Sequence, residues 1–191
     1  PEIGGREGFD RFSAAARERG LGLLLDMVPN HMGVFGSDNA WWTDVLEHGP
    51  ASPYARYFDI DWHPADRELD GKVLLPVLGH PFGQAIDDGE LKAAFDAGHG
   101  SFSLAYFEHR FPLDPRSYPA LLQRAAERLP DAASLALNSL ASFFSHLPPH
   151  NAEQPTARME RLRDTTLLKA RLAALVRESG DALPAIEAVL A

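Results

Sequence analysis

The stretch from residue 23 to residue 31 places three polar side chains, Asp26, Asn30 and His31, at the end of an apolar run. Apolar runs without alternation are typical of strands buried on both faces, which predicts a strand at residues 22–28. Pro29 ends this strand, because proline lacks the amide that a central strand donates. An imidazole there could donate to a ligand hydroxyl, with the carboxylate and amide supporting it. The alternative is a polar strand end with a capping aspartate and a solvated histidine.

Two adjacent indoles, Trp41 and Trp42, form a second group of candidates. Exposed tryptophan faces stack well on pyranose rings, because both surfaces are apolar and the contact area is large. Trp42 shares helical spacing with Val45 and Leu46, so we expect it in the core. Trp41 is then the ring available to a ligand.

His109 and Arg110 are further candidates for contacts with sugar hydroxyls. No metal is expected, since the spacing of the eight histidines matches no familiar ligand set. We expect His48 and His150 at the surface or in turns. Glycine-rich phosphate loops are absent from the sequence.

Composition excludes several classes of partner. The formal net charge of −9 argues against nucleic acid, whose phosphates need a basic surface. The longest apolar runs have about five residues, against the ~20 that span a bilayer, so no membrane segment is expected. The chain has no cysteine, which favours a cytoplasmic location. It opens on proline in what reads as the middle of a unit, so we interpret it as a piece of a longer polypeptide.

The pattern of elements suggests three regions. A helix at 7–19, capped by Gly20 and followed by the strand, makes half of a repeating α/β unit in residues 1–33. Residues 34–115 form an irregular α+β subdomain, and residues 116–191 form a helical region. Within the subdomain we predict helices at 39–47 and 88–95 and a strand at 102–107. The helical region is predicted to hold helices at 118–128, 135–144, 156–178 and 183–190.

Several segments resemble a known family. Residues 26–31 (DMVPNH) resemble the first signature of the α-amylase superfamily, glycoside hydrolase family 13, at the end of its third barrel strand. Other segments resemble the maltooligosyl trehalose synthase family within it: WWTDVLEHGP (41–50), SPYARYFDIDW (52–62), KVLLPVLG (72–79), YFEHRFPLDP (106–115) and residues 160–172. The resemblance implies an α/β fold. Residues 1–33 would be a partial (β/α)8 barrel segment that carries the irregular subdomain and the helical C-terminal region.

The resemblance also implies a function. Such enzymes are isomerases of trehalose biosynthesis: intramolecular transglucosylases, or glucosylmutases, that convert the reducing-end α-1,4 bond of maltooligosaccharides to an α,α-1,1 bond with retention. By resemblance, His31 binds the sugar, Asp26 supports the strand end and Asn30 braces the loop. The signatures that carry the catalytic acids are missing, so we expect the isolated chain to be inactive. Its expected partners are a maltooligosaccharide and the remainder of the enzyme polypeptide, with no cofactor.

Other functions stay open at this point. The first signature alone also suits an ordinary α-glucan hydrolase or glucanotransferase of the same superfamily. The missing catalytic acids suit a non-catalytic glucan-binding or structural module. A third alternative is a cleaved piece of an enzyme that remains associated with the rest. A truly isolated barrel segment would be expected to dimerise, because it exposes strand edges and apolar helix faces.

Overall fold

The computed structural model describes residues 4–26, 33–34 and 39–191, without the Asp131 side chain. The chain divides into two units, Pro1–Met32 and Gly33–Ala191. The first unit contains α1 (Gly5–Glu18), which confirms the predicted helix. Its end is closed by two hydrogen bonds, from the Gly20 amide to the Arg17 carbonyl at 3.0 Å and from the Leu21 amide to the Ala16 carbonyl at 2.9 Å. With Gly20 at φ 69°, this is the left-handed cap that the sequence predicts.

The predicted buried strand at 22–28 is wrong for the residues that the structure describes. Residues 21–26 have no regular secondary structure, and Leu24 is 98% exposed. A strand is stabilised by its ladder hydrogen bonds, and the strands described elsewhere in the chain pair only with one another. Asp26 therefore lies in an exposed, irregular segment, while positions 27 and 28 lie outside the described residues.

The first element described in the second unit is α2 (Ala40–His48), which confirms the helix predicted at 39–47. The Asn39 side chain accepts hydrogen bonds from the amides of Trp41 and Trp42 at 3.1 and 3.0 Å, which caps the helix. Trp42 is buried with Val45 and Ala55 in a small core of their own. Irregular chain with single turns of 3₁₀ helix follows, at Gly49–Ala51, Ala55–Tyr57 and Arg67–Leu69.

The helix predicted at 88–95 is wrong. A short helix, α3 (Phe82–Asp87), ends before it, and the following residues form β1 (Leu91–Asp96). Lys92, Ala93 and Ala94 are good or tolerable helix formers, but pairing with the next strand overrides that weak preference.

The described sheet has three antiparallel strands in the order β1-β2-β3, with β2 at Ser101–Tyr106 and β3 at His109–Pro112. The predicted strand at 102–107 is thereby confirmed. Leu91 faces Tyr106, and Tyr106 faces His109 across a two-residue turn. The chain is thus mixed helix and strand, as predicted, but the parallel pairing expected of a barrel does not occur in the described part. The barrel segment and the region boundaries at 33/34 and 115/116 stay predictions.

Four helices build the main core. They are α4 (Tyr118–Ala126), α5 (Asp131–Ser145), α6 (Pro155–Glu178) and α7 (Ala182–Leu190), which confirms the four helices predicted at 118–128, 135–144, 156–178 and 183–190. Their buried side chains enclose Phe102 from β2. The Phe102 amide donates to the Tyr118 hydroxyl at 3.1 Å, which joins sheet to helices. None of the described helices is long and apolar enough to cross a bilayer.

Candidate functional site

The residues of the predicted first signature are only partly described. Asp26 is exposed. Asn30 and His31 lie outside the described residues. Their predicted contacts with sugar therefore stay predictions.

An exposed aromatic cluster surrounds Trp41. Its ring stacks with Tyr54 at a centroid distance of 5.0 Å and with Tyr57 at 5.2 Å. Trp41 is 41% exposed and Tyr57 is 52% exposed. The Arg56 guanidinium lies 5.0 Å from the Tyr57 ring centroid, which adds a cation at the rim. We call Trp41, Tyr54 and Tyr57 the aromatic cluster. It confirms the predicted exposure of Trp41, which shares the exposed surface with Tyr57, while Tyr54 is half-buried and packs against the Trp42 core.

His109 and Arg110 lie on β3, which packs against α2. The His109 ring stacks on Phe111 with centroids 5.9 Å apart, and its Nε2 lies 3.9 Å from a Glu108 carboxylate oxygen. Arg110 is exposed and donates through Nη1 to the carbonyls of Phe107 and His109 at 2.8 and 2.9 Å. Both residues lie beside the helix that carries Trp41, and the rest of the Arg110 guanidinium is available to a ligand.

A buried polar network lies between α2, the segment after β3 and α6, and the sequence did not predict it. Arg161 is 0% exposed. Its Nη2 donates to Asp114 Oδ1 at 2.8 Å and to the Glu47 carbonyl at 3.3 Å, while Nη1 donates to the Pro148 carbonyl at 2.8 Å. One guanidinium thus joins three distant segments of the chain.

Asp114 is the main carboxylate partner in this network. Burial alone would raise its pKa, but hydrogen bonds with His150 and Arg161 outweigh burial and hold the pKa well below the usual 3.8. His150 Nδ1 lies 3.4 Å from Asp114 Oδ2. His150 lies in a turn, which agrees with its expected location at the surface or in a turn, and it is half-buried beside this carboxylate.

Glu47 pairs with Lys169, whose Nζ lies 2.6 Å from Glu47 Oε1. Burial raises the pKa of Glu47, although the Lys169 charge opposes this. The neighbouring His48 is buried, so its predicted surface location is wrong. Burial and the charges of Arg161 and Lys169 lower the pKa of His48 to about 4, which keeps it neutral at pH 7.

A signal for this network was present in the sequence. Arg161 and Thr165 share the helical spacing of Leu168 and Leu172, so α6 turns an arginine towards the core. A fully buried arginine requires a carboxylate, since an unpaired buried charge is strongly unfavourable. In the described part of the chain, no three His, Asp or Glu residues are grouped so that they could hold a metal ion.

Comparison with known proteins assigns the chain to a family. A family model described as "Alpha amylase, catalytic domain" matches residues 1–112, more than half of the chain. The chain belongs to the alpha-amylase catalytic domain family. The match includes the predicted first signature, the aromatic cluster and the strand with His109 and Arg110. Enzymes of this family act on glycosidic bonds.

Individual relatives of this alpha-amylase family chain cover less of it. A "Putative maltooligosyl trehalose synthase" from Mycobacterium tuberculosis is 54% identical over 80 residues, 41% of this chain and 10% of that protein. "Maltase A1" from Drosophila melanogaster is 37% identical over 73 residues, 38% of this chain and 10% of that protein. "Alpha-amylase SusG" from Bacteroides thetaiotaomicron is 31% identical over 75 residues, 39% of this chain and 10% of that protein.

The alpha-amylase family chain therefore spans about a tenth of the length of the curated relatives that it matches. No solved structure matches it.

Proposed function

We propose that this chain is part of an intramolecular transglucosylase that converts the reducing-end α-1,4 bond of a maltooligosaccharide to an α,α-1,1 bond. The observation that carries this proposal is the 54% identity to the mycobacterial putative maltooligosyl trehalose synthase. Identity to the maltase and to the amylase over segments of similar length is 37% and 31%.

The aromatic cluster supports a glucan as ligand. The exposed parts of Trp41 and Tyr57 offer apolar surface to the C–H faces of glucosyl residues, and Arg56 at the rim can donate to sugar hydroxyls. Arg110 and His109, on the strand beside α2, are proposed as further donors. The proposed contact is with a chain of several sugars, because a cluster of three rings presents more surface than one pyranose covers.

Residues 1–33 are proposed to complete the third strand of a barrel in the full enzyme. There, Asp26, Asn30 and His31 would lie at the carboxyl end of the strand, where barrel enzymes hold their substrates. A neighbouring strand would supply the ladder hydrogen bonds that residues 21–26 lack in the structure. Residues 34–115 are proposed as the insertion that closes over the glucan, and residues 116–191 as its helical support.

The proposed chemistry needs groups beyond those of this chain. A retaining reaction uses a carboxylate nucleophile and a second carboxylic acid about 5–5.5 Å apart. The released glucose must turn within the site before water attacks, so water exclusion decides between transfer and hydrolysis. We propose that the remainder of the polypeptide supplies both acids. The role of this chain is then to bind and enclose the substrate.

An assay on maltohexaose tests the proposal. The full polypeptide that contains this sequence is expected to remove reducing ends with little release of glucose, because the glucosyl unit is transferred within the same molecule. New reducing ends would identify a hydrolase and contradict the proposal. The 191-residue chain by itself is expected to leave maltohexaose unchanged, and a non-reducing product from it would contradict the assignment of both acids to the remainder.

The exposed aromatic cluster also favours a second candidate, a non-catalytic glucan-binding module. Such a module would bind maltopentaose, and the full polypeptide would have no activity on maltohexaose. Measuring turnover and binding on the same preparation separates the two functions.

A further inference from the structure

A cavity of about 220 Å³ lies beside the buried network, and the proposed function does not use it. The carboxylates of Glu47 and Asp114, the His150 imidazole and the Trp62 indole line it. The rest of the wall is formed by Lys72, by Gly49 and Gly71, and by the aliphatic side chains of Val45, Leu46 and Val73. Trp41, Tyr54 and Tyr57 are not among the lining residues, so the cavity is separate from the aromatic cluster.

Both carboxylates are held in place by cations behind them. Asp114 accepts from Arg161, and its Oδ1 also accepts from the Arg116 amide at 2.9 Å. Glu47 is fixed through Oε1 by Lys169. Among the described residues no hydrogen bond reaches Glu47 Oε2, and Nε2 of the neutral His48 imidazole lies 4.0 Å from the Glu47 Oε2 atom. The side chain of Glu47 is nine-tenths buried, so this oxygen is a positioned acceptor that lacks a partner.

The His150 imidazole is positioned by two glycines. A Cβ at Gly49 would lie 3.1 Å from the His150 ring, and a Cβ at Gly71 would lie 3.4 Å from Nε2. Both glycines have left-handed backbones, with φ of 57° and 67°. The Ala51 amide donates to the His150 carbonyl at 3.1 Å, which fixes the backbone. Because Nδ1 faces Asp114, Nε2 is the nitrogen available to a ligand.

These groups select a neutral, hydroxylated ligand. Arg161 and Lys169 balance the charges of Asp114 and Glu47, and Lys72 also lines the wall, so the cavity has no excess of either charge that would select an ionic ligand. The described residues form no cluster suited to a metal ion. Carboxylate oxygens and an imidazole nitrogen accept hydrogen bonds from hydroxyls, while Trp62 and Val73 offer apolar surface to C–H groups. The volume corresponds to roughly seven waters at about 30 Å³ each, enough for one six-membered ring and too small for a longer saccharide.

We propose that this cavity binds a single neutral hexopyranose unit, through Glu47, Asp114 and His150, at a site separate from the aromatic cluster. The choice of a glucosyl ring among neutral polyols rests on the proposed function. The site is additional to the aromatic cluster, because it holds a single sugar ring.

Nuclear magnetic resonance of the 191-residue chain tests the proposal with D-glucose as probe. Glucose is expected to shift the imidazole signals of His150 and the indole N–H signal of Trp62, and to leave the Trp41 signal in place. His150→Gln is expected to weaken glucose binding at least fivefold, while the exposed matched control His146→Gln binds as the wild type does. Absence of shifts at saturating glucose, or shifts confined to Trp41, would overturn the proposal.

A second variant and two further ligands complete the test. If the thermal melt shows that His150→Gln is unfolded, Trp62→Phe replaces it, with the same expected weakening. Equal affinity for myo-inositol would overturn the assignment to a pyranose. If glucose binds in the cavity while the full polypeptide fails on maltohexaose, the proposed function fails and this site stands. If glucose shifts neither His150 nor Trp62 while the full polypeptide converts maltohexaose without new reducing ends, this site fails and the proposed function stands.

Discussion

Arg161 Nη2 lies 2.8 Å from Asp114 Oδ1, and the arginine that makes this contact is fully buried. The pair joins α6 to the segment that follows β3, and the same guanidinium also bonds the end of α2. Arg161 therefore fixes the helix that carries Trp41 to the helical core. The polar network thereby holds in place the helix on which part of the aromatic cluster lies.

Replacing Arg161 with methionine is expected to destabilise the chain by about 3 kcal/mol, because Asp114 loses its buried cation and two carbonyls lose their donor. Urea denaturation of the 191-residue chain measures this free energy of unfolding. Arg171→Met, an exposed site on the same helix, is the matched control and is expected to leave the midpoint unchanged. An unchanged midpoint in Arg161→Met would contradict the structural role of the pair.

The second prediction concerns the free energy of unfolding in acid, to which the Asp114 carboxylate contributes. Its folded-state pKa lies below the usual 3.8, so its contribution to stability is complete above that value and is lost as the pH falls towards the folded pKa. The stability difference between wild type and Asp114→Asn is therefore expected to be constant from pH 7 to pH 5 and to narrow below about pH 4. Urea midpoints at each pH give this difference, and one that grows with acid would contradict the assignment.

His48 makes a prediction about protonation. With its pKa lowered to about 4 by burial and by Arg161 and Lys169, its imidazole signals are expected to stay unchanged between pH 8 and pH 6. Protonation then costs stability as the pH falls from 6.5 towards 4, because the unfolded chain binds the proton more readily. The exposed His63, whose pKa is raised by its hydrogen bond to Asp70, is the internal control and titrates in the same spectra. Titration of His48 at neutral pH would contradict its burial.

Periodic segments were predictable from the sequence, and pairings between distant segments were not. The helix at Ala40–His48 and the long α6 were predicted from apolar spacing. The same spacing predicted that Trp42 is buried and that Trp41 is exposed. The run at 23–25 predicted a strand because its composition suits one, but a strand also needs partners that no composition specifies. The ion pair between Glu47 and Lys169 joins residues 122 positions apart, so only the fold brings them together.

The hydrogen bond between Tyr118 and Phe102 gives a prediction about how the sheet is held. Tyr118→Phe is expected to cost about 1–2 kcal/mol, because the buried Phe102 amide is left without an acceptor. Tyr57→Phe is the control, because it removes a hydroxyl that accepts from the exposed Arg56. Arg56 can donate to water instead, so little loss of stability is expected. Equal losses of stability in the two variants would contradict the special role of Tyr118.

The most direct test of the glucan-binding claim is the affinity of the chain for maltopentaose, measured by isothermal titration calorimetry. Trp41→Ala is expected to weaken binding at least fivefold, because the central ring of the aromatic cluster is lost. Phe143→Ala, which removes an exposed aromatic ring on α5, is expected to bind as the wild type does. Equal affinity of Trp41→Ala and wild type, or no binding by either, would contradict the account.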